Sequence, residues 1–326
     1  MDMKSRIKQL SLFTLFILLT LTLTLTQAYA AINTVSVISD AKNKVTATIT
    51  GFSDPLGIAF DSYKDEIFVS NTALGTVSVI SDATNKVIKT ITGLIDPIGL
   101  AFDSYKHEVF VATNLAGNVV VISDATNNIV NTITGFSDPG QVAYDSYKHE
   151  IFVGNTYPPG ISVISDATNT VTTGIDLLSS CPPSSLAFDL HYHEVFVSTP
   201  CGLDVISDGT NTVTTTISGA YGWLAFDSHK NEIFSTNSPL GTVSVISDAT
   251  NTVTATITLP AGSGPHGVAF DSHKNEVFVA NYGSGTVSVI SDKTNTVIAT
   301  ITGLTGVYVV AFDSHKKEIF VTCTSL

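Results

Sequence analysis

The sequence predicts an all-β chain folded as a seven-bladed β-propeller, four antiparallel strands per blade, in which the two chain ends close the last blade two-plus-two. Three observations predict it: a unit of about 42 residues repeats seven times, each unit carries four strand-like runs, and each chain end is half a unit. VISD ends at Asp40, Asp82, Asp124, Asp166, Asp208, Asp248 and Asp292. A-F-D or A-Y-D ends at Asp61, Asp103, Asp145, Asp189, Asp227, Asp271 and Asp313.

In the second unit the runs are 57–61, 66–71, 76–81 and 86–91. Val, Ile, Thr and Phe dominate them, and they are punctuated by Ser62-Tyr63-Lys64-Asp65, a Leu-Gly loop and Asp82-Ala83-Thr84-Asn85. After residue 30 the chain opens with a third and a fourth strand (33–39 and 45–50) and ends with a first and a second (307–313 and 318–323). Pairing Ile319–Val321 with Val35–Ile38 closes a ring and removes two open edges that a solenoid would leave.

Residues 1–30 read as a signal peptide ahead of the propeller at 31–326. Lys4, Arg6 and Lys8 precede an apolar run from Leu10 to Thr26, and Ala28-Tyr29-Ala30 supplies a small-residue cleavage site. The run approaches spanning length, so an uncleaved anchor is the alternative; no later segment could span a membrane. The expected location is secreted or cell-surface, or periplasmic in a two-membrane cell. Past residue 30 there are 12 basic and 27 acidic residues and no arginine, which argues against nucleic acid, phosphate and anionic lipid as ligands. No N-x-[ST] acceptor occurs, so N-linked sugar is not expected.

The repeated core reads, in one unit, Gly267-Val268-Ala269-Phe270-Asp271, Glu276-Val277-Phe278-Val279-Ala280-Asn281, Gly285-Thr286-Val287-Ser288-Val289-Ile290 and Thr294-Asn295-Thr296-Val297. This pattern, over residues 32–326, resembles the YVTN-type β-propeller repeat family, with FVSN, FVGN or FVAN in place of YVTN. The resemblance implies an exported or surface propeller, of the kind found among archaeal surface-layer-associated and bacterial periplasmic proteins. It supplies no active site, because propellers host many functions.

Turns between first and second strands (DSYKDE, DSYKHE, DLHYHE, DSHKNE, DSHKKE) and between third and fourth (D-A-T-N) are nearly constant, whereas every length change falls in the fourth–first and second–third connections on the opposite face. Insertions confined to one face of a repeat protein point to a binding face. The same face collects Gln141, Ser185, Tyr221, Trp223, His266 and Tyr308 at or just before the innermost strands, a candidate rim for a ligand or partner. A structural alternative has Trp223 filling the channel or packing between blades. Cys181 and Cys201 flank one hairpin and form an expected disulfide; Cys323 is left as a buried thiol or an intermolecular link.

Seven of the eight histidines lie in the first–second turns, and their position shifts within the turn, so repeat duplication accounts for their number. Only His191-x-His193 has a metal-like local spacing. The VISD carboxylates lack the alternating spacing of a calcium loop and are expected to cap their own turns. Each turn Lys is expected to pair with the following Glu at the surface. No cofactor or metal is expected, a divalent ion being the one candidate. The expected function is a non-catalytic binding or scaffold module that holds an envelope or surface protein, or a polysaccharide, through the variable loops. The alternative is a channel-mouth enzyme of the lyase or lactonase kind, with His266 as base and Gly264-Pro265-His266-Gly267 as its mark.

Overall fold

The computed structural model describes residues 33–325. The signal-peptide reading of residues 1–30 lies outside them. Seven four-stranded antiparallel sheets are present, and the described residues hold one 3-10 turn, Thr72–Leu74, as their only helical element. Blade 1 consists of Pro55–Asp61, Glu66–Asn71, Thr76–Ser81 and Lys86–Thr92. Blades 2 to 6 follow in chain order, opening with the innermost strands Pro97–Asp103, Pro139–Asp145, Ser185–Asp189, Leu224–Asp227 and Pro265–Asp271. Blade 7 takes Val307–Asp313 and Glu318–Cys323 from the C-terminus and Thr34–Ser39 and Lys44–Ile49 from the N-terminus. Its seam pairs Ile38 with Ile319, Val37 with Phe320 and Ser36 with Val321. Each innermost strand touches the next, and that of blade 7 touches that of blade 1, so the ring is closed.

Second and third strands are buried along nearly their whole length, because each blade has a neighbour on both sides; outer strands alternate exposed and half-buried positions. The core therefore lies between blades. Phe68, Val77, Val79 and Ile91 of blade 1 pack on Leu100, Val109, Val111 and Ile122 of blade 2, and the pattern recurs around the ring. One fully buried phenylalanine per blade anchors it: Phe68, Phe110, Phe152, Phe196, Phe234, Phe278 and Phe320. Most innermost strands begin two residues earlier than the repeat suggests. Pro55 pairs with Asn71, but regular pairing resumes only at Ile58, leaving a bulge between. Most outer strands also carry an irregularity, as at Val37/Ile38, which twists their free edges away from pairing with another chain.

The constant face fastens blade to blade. Each A-F-D carboxylate is fully buried, and one of its oxygens accepts two N–H groups of its own turn, as Asp61 does from Tyr63 (2.8 Å) and Lys64 (3.1 Å). Four VISD carboxylates, expected to cap their own turns, instead accept histidines from other blades, described below. The expected Lys–Glu surface pairs are replaced by contacts to the next blade. Lys64 Nζ donates to the Asp124 carbonyl at 2.7 Å, and Glu66 accepts from Asn127 at 3.0 Å. Facing its own sheet, neither side chain would satisfy the neighbouring turn's unpaired groups; facing outward, both do.

The shift in histidine position has a physical cause. Where the third turn residue is Tyr, it packs on a histidine at the fifth position of the next blade: Tyr105 stacks on His149 and Tyr147 on His193, with centroids 4.1 and 3.7 Å apart, and Tyr63 lies tilted on His107 at 3.9 Å. Where the third residue is His, its Nδ1 reaches the VISD carboxylate of the next blade. These pairs are His191–Asp248 (2.9 Å), His229–Asp292 (2.7 Å), His273–Asp40 (3.0 Å) and His315–Asp82 (2.8 Å). Blade 4 carries both histidines because it receives one kind of junction and sends the other. The fifth position has positive φ in every blade, 57° at Asp65 and 61° at Lys317 for example, and no β-branched residue occupies it.

Candidate functional site on the variable face

The bulges of the innermost strands build the site. In blade 6 regular pairing breaks between Pro265 and Val268, and in blade 7 between Val307 and Val310, so His266 and Tyr308 occupy bulged positions that re-aim their side chains. Their backbones sit close together: a Cβ on Gly267 would lie 2.6 Å from the Val309 Cα, so only glycine fits there. In blade 5 the innermost strand starts late, at Leu224. Trp223 is held instead by Thr236, whose hydroxyl accepts the Trp223 N–H at 3.0 Å and whose own N–H donates to the Trp223 carbonyl at 3.0 Å. Gly222 donates to the Ser198 hydroxyl of blade 4 at 2.7 Å, which locks the approach to Trp223.

Four rings from three consecutive blades meet as a result. His266 lies 4.8 Å from Tyr308 and 5.4 Å from Tyr282, Tyr282 lies 6.0 Å edge-on to Tyr308, and Trp223 lies 5.9 Å edge-on to Tyr308. Trp223 also packs on the core between blades 5 and 6. Beside it, Tyr221, Trp223, Pro265 and His266 line a cleft of about 150 Å³. Burial alone pushes the His266 imidazole below its ordinary pKa, and burial followed by the neighbouring Tyr282 pushes the Tyr308 phenol up. His266 Nδ1 is buried without a hydrogen-bond partner. The arrangement is suited to stacking and van der Waals contact, with phenol and indole edges as the polar handles.

Of the residues expected at the rim, Tyr221, Trp223, His266 and Tyr308 are brought together. Gln141 sits in the equivalent bulge of blade 3, away from this cluster. Ser185 is buried, and its hydroxyl accepts the Leu224 N–H at 3.1 Å, fastening blade 4 to blade 5. Two residues went unread in the sequence. Tyr282 follows the second strand of blade 6 in a connection that gives no hint of the innermost strand it meets. Asp204 stands where other third strands have serine, as at Ser36, Ser78 and Ser288; it is fully buried and accepts the Ser179 N–H at 3.3 Å and the Thr216 hydroxyl. It thereby ties down the connection that carries Cys181. The Cys181–Cys201 disulfide is formed, with Cα atoms 6.1 Å apart. Cys323 is a buried free thiol 3.6 Å from the Ser36 hydroxyl across the closing seam.

On the constant face, Asp40, Asp271 and His273 hold one ligand atom each within 4.8 Å of one another, as do Asp227, His229 and Asp292, and Asp65, Asp82 and His315. These triplets have donors that suit a divalent ion. A lysine already supplies positive charge at each, through Lys274, Lys230 and Lys316 on the carbonyls of Asp40, Asp292 and Asp82. His191 and His193 do not converge: the first turns to Asp248 of blade 5 and the second to Tyr147 of blade 3.

A family model described as YNCE-like beta-propeller matches residues 206–326. The match and the seven blades together fit a YVTN-type propeller family. No curated protein matches this propeller. Among solved structures, Kuenenia stuttgartiensis hydrazine synthase superposes with a TM-score of 0.72, covering 85% of this chain and 95% of that chain at 15% identity. At that identity the likeness is one of fold. The family match covers the end of blade 4, blades 5 and 6 and both C-terminal strands of blade 7, and so spans the aromatic cluster.

Proposed function

We propose that the protein is an exported, non-catalytic binding module of the cell surface that holds an envelope protein or polysaccharide on its variable face. The observation that carries this reading is the division of labour between faces. The constant face spends its tyrosines, histidines, lysines and acids on joining blades, while the variable face holds the length changes and the aromatic cluster of Trp223, His266, Tyr282 and Tyr308. Aromatic rings of this kind bind sugars or partner side chains by stacking, with affinity set by buried area and a few polar contacts.

The enzyme reading has one observation in its favour: burial lowers the His266 pKa, which favours the neutral imidazole that a general base uses. Against it, His266 Nδ1 lacks the partner that would orient a base. A photo-reactive amino acid placed at Leu240 or Tyr157 on the variable face, and at Tyr63 on the constant face, tests the binding reading in producing cells. Adducts from Leu240 and Tyr157 alone are expected. Adducts from Tyr63 alone would overturn the assignment of faces, and turnover of a small molecule that disappears in His266→Ala would establish the enzyme instead.

A further inference from the structure

The lysines are distributed with a strong bias. All twelve past residue 30 lie in constant-face turns or on outer strands, at positions 42, 44, 64, 86, 89, 106, 148, 230, 274, 293, 316 and 317. None lies in a fourth–first or second–third connection. Those connections carry Asp54, Asp96 and Asp138, each at positive φ (46°, 54° and 47°) directly before the proline that opens the innermost strand of blades 1, 2 and 3. Among the described residues none of the three carboxylates has an ion-pair partner; Asp54 accepts the Ser325 hydroxyl at 3.1 Å and Asp96 the Leu115 N–H. Among the described residues the variable face is therefore acidic on blades 1 to 3, aromatic on blades 5 to 7, and free of lysine and arginine.

Apolar side chains stand among these charges. Leu115 is 75% exposed, Leu240 69%, Tyr157 67%, Leu178 65% and Leu74 59%. All five belong to connections of this face. The exposed tyrosines of the opposite face differ, since Tyr63, Tyr105 and Tyr147 already cover histidine rings. Exposed apolar groups on five connections of one face, set among carboxylates with no cation beside them, leave that face open to a partner, and its charge repels anionic partners while steering cationic ones in.

We propose that the lysine-free face receives a basic polypeptide segment of a partner protein, one that alternates cationic with apolar side chains. The inference rests on the binding reading above and narrows it to one partner chemistry. Lysine or arginine groups of the segment meet Asp54, Asp96 and Asp138 and the faces of Trp223 and Tyr308, while its apolar groups cover the leucines.

Trp223 is the only tryptophan, so its emission reports on this face directly. The test is a titration of the full chain with a synthetic peptide of Lys-Leu-Gly repeats, with its Glu-Leu-Gly counterpart and with a neutral oligosaccharide, at low and high salt. The basic peptide is expected to saturate the Trp223 signal and to lose affinity with salt. The triple variant Asp54→Asn, Asp96→Asn, Asp138→Asn should weaken it about tenfold, as three modest charge contacts sum to about 1.4 kcal/mol. The charge-matched variant Asp65→Asn, Glu66→Gln, Glu108→Gln on the other face should leave it unchanged, with circular dichroism confirming both folds. Equal binding by the triple variant, or equal binding of the Glu peptide, overturns the proposal. Saturation by the oligosaccharide alone would also overturn it while leaving the binding reading standing. No response to any probe, with photo-adducts from Tyr63 alone, would remove both.

Discussion

Buried carboxylates at the ends of the first and the last four innermost strands bias how the molecule responds to acid. Burial raises the pKa of Asp189, Asp227, Asp271 and Asp313, outweighing the turn N–H groups that lower it, and burial likewise raises Glu108 and Glu194. A native carboxyl with a raised pKa takes up its proton before the unfolded chain does, so stability grows as pH falls through the folded value. His315 is also raised, chiefly by its hydrogen bond to Asp82; its contribution is complete below the unfolded imidazole value and is lost as pH rises through the folded one. Both act in one direction; His266, whose pKa burial lowers, acts against them but is a single group among many raised carboxyls. The melting temperature should rise between about pH 8 and about pH 5, and a flat or falling profile over that range, followed by calorimetry, would contradict the assignment. At the core, Phe196→Ala should cost about 3–5 kcal/mol in denaturant unfolding, since it empties a site buried by two blades. The phenylalanine positions were legible as part of the repeat. The partners of the turn histidines were not, because His191 meets Asp248 57 residues on and His273 meets Asp40 233 residues away.

Blade junctions come in two interchangeable kinds, and this has a consequence for elements. His229→Tyr alone removes a bond to Asp292, and Asn275→His alone gains no partner. Together they recreate the Tyr147–His193 stack at the junction of blades 5 and 6. The double variant should be more stable than the two single effects predict by about 0.5–1 kcal/mol, measured as a double-mutant cycle; strict additivity would mean that the two residues act independently. In blade 4 the Cys181–Cys201 disulfide closes a segment with a sequence separation of 20 and is joined there by Asp204. Replacing both cysteines with serine should cost about 2–4 kcal/mol and raise amide exchange first in residues 177–184. The disulfide could be inferred from a hairpin with a cysteine at each end. The bulges that present His266 and Tyr308 could not, since the repeat marks those positions as variable without saying that the backbone kinks there.

At the scale of the molecule, blade count, strand order and two-plus-two closure followed from the repeat and from the half-units at its ends, because propeller contacts are made between successive units and require no long-range guess. The site was only partly legible. Its fourth–first side showed in the residues preceding A-F-D, but Tyr282 joins from a second–third connection whose sequence carries no sign of the rings it meets. The central claim is that one face holds the molecule together and the other meets a partner. It is tested most directly by measuring, on one set of variants, both thermal stability and capture of photo-adducts from Leu240 in producing cells. Trp223→Phe and Tyr308→Phe, which keep most of the packing between blades 5 and 7, should weaken capture with little change in melting temperature, while His229→Ala and Asp227→Ala should lower the melting temperature and leave capture intact. The reverse pattern, or both quantities falling together in every variant, would contradict the division of faces.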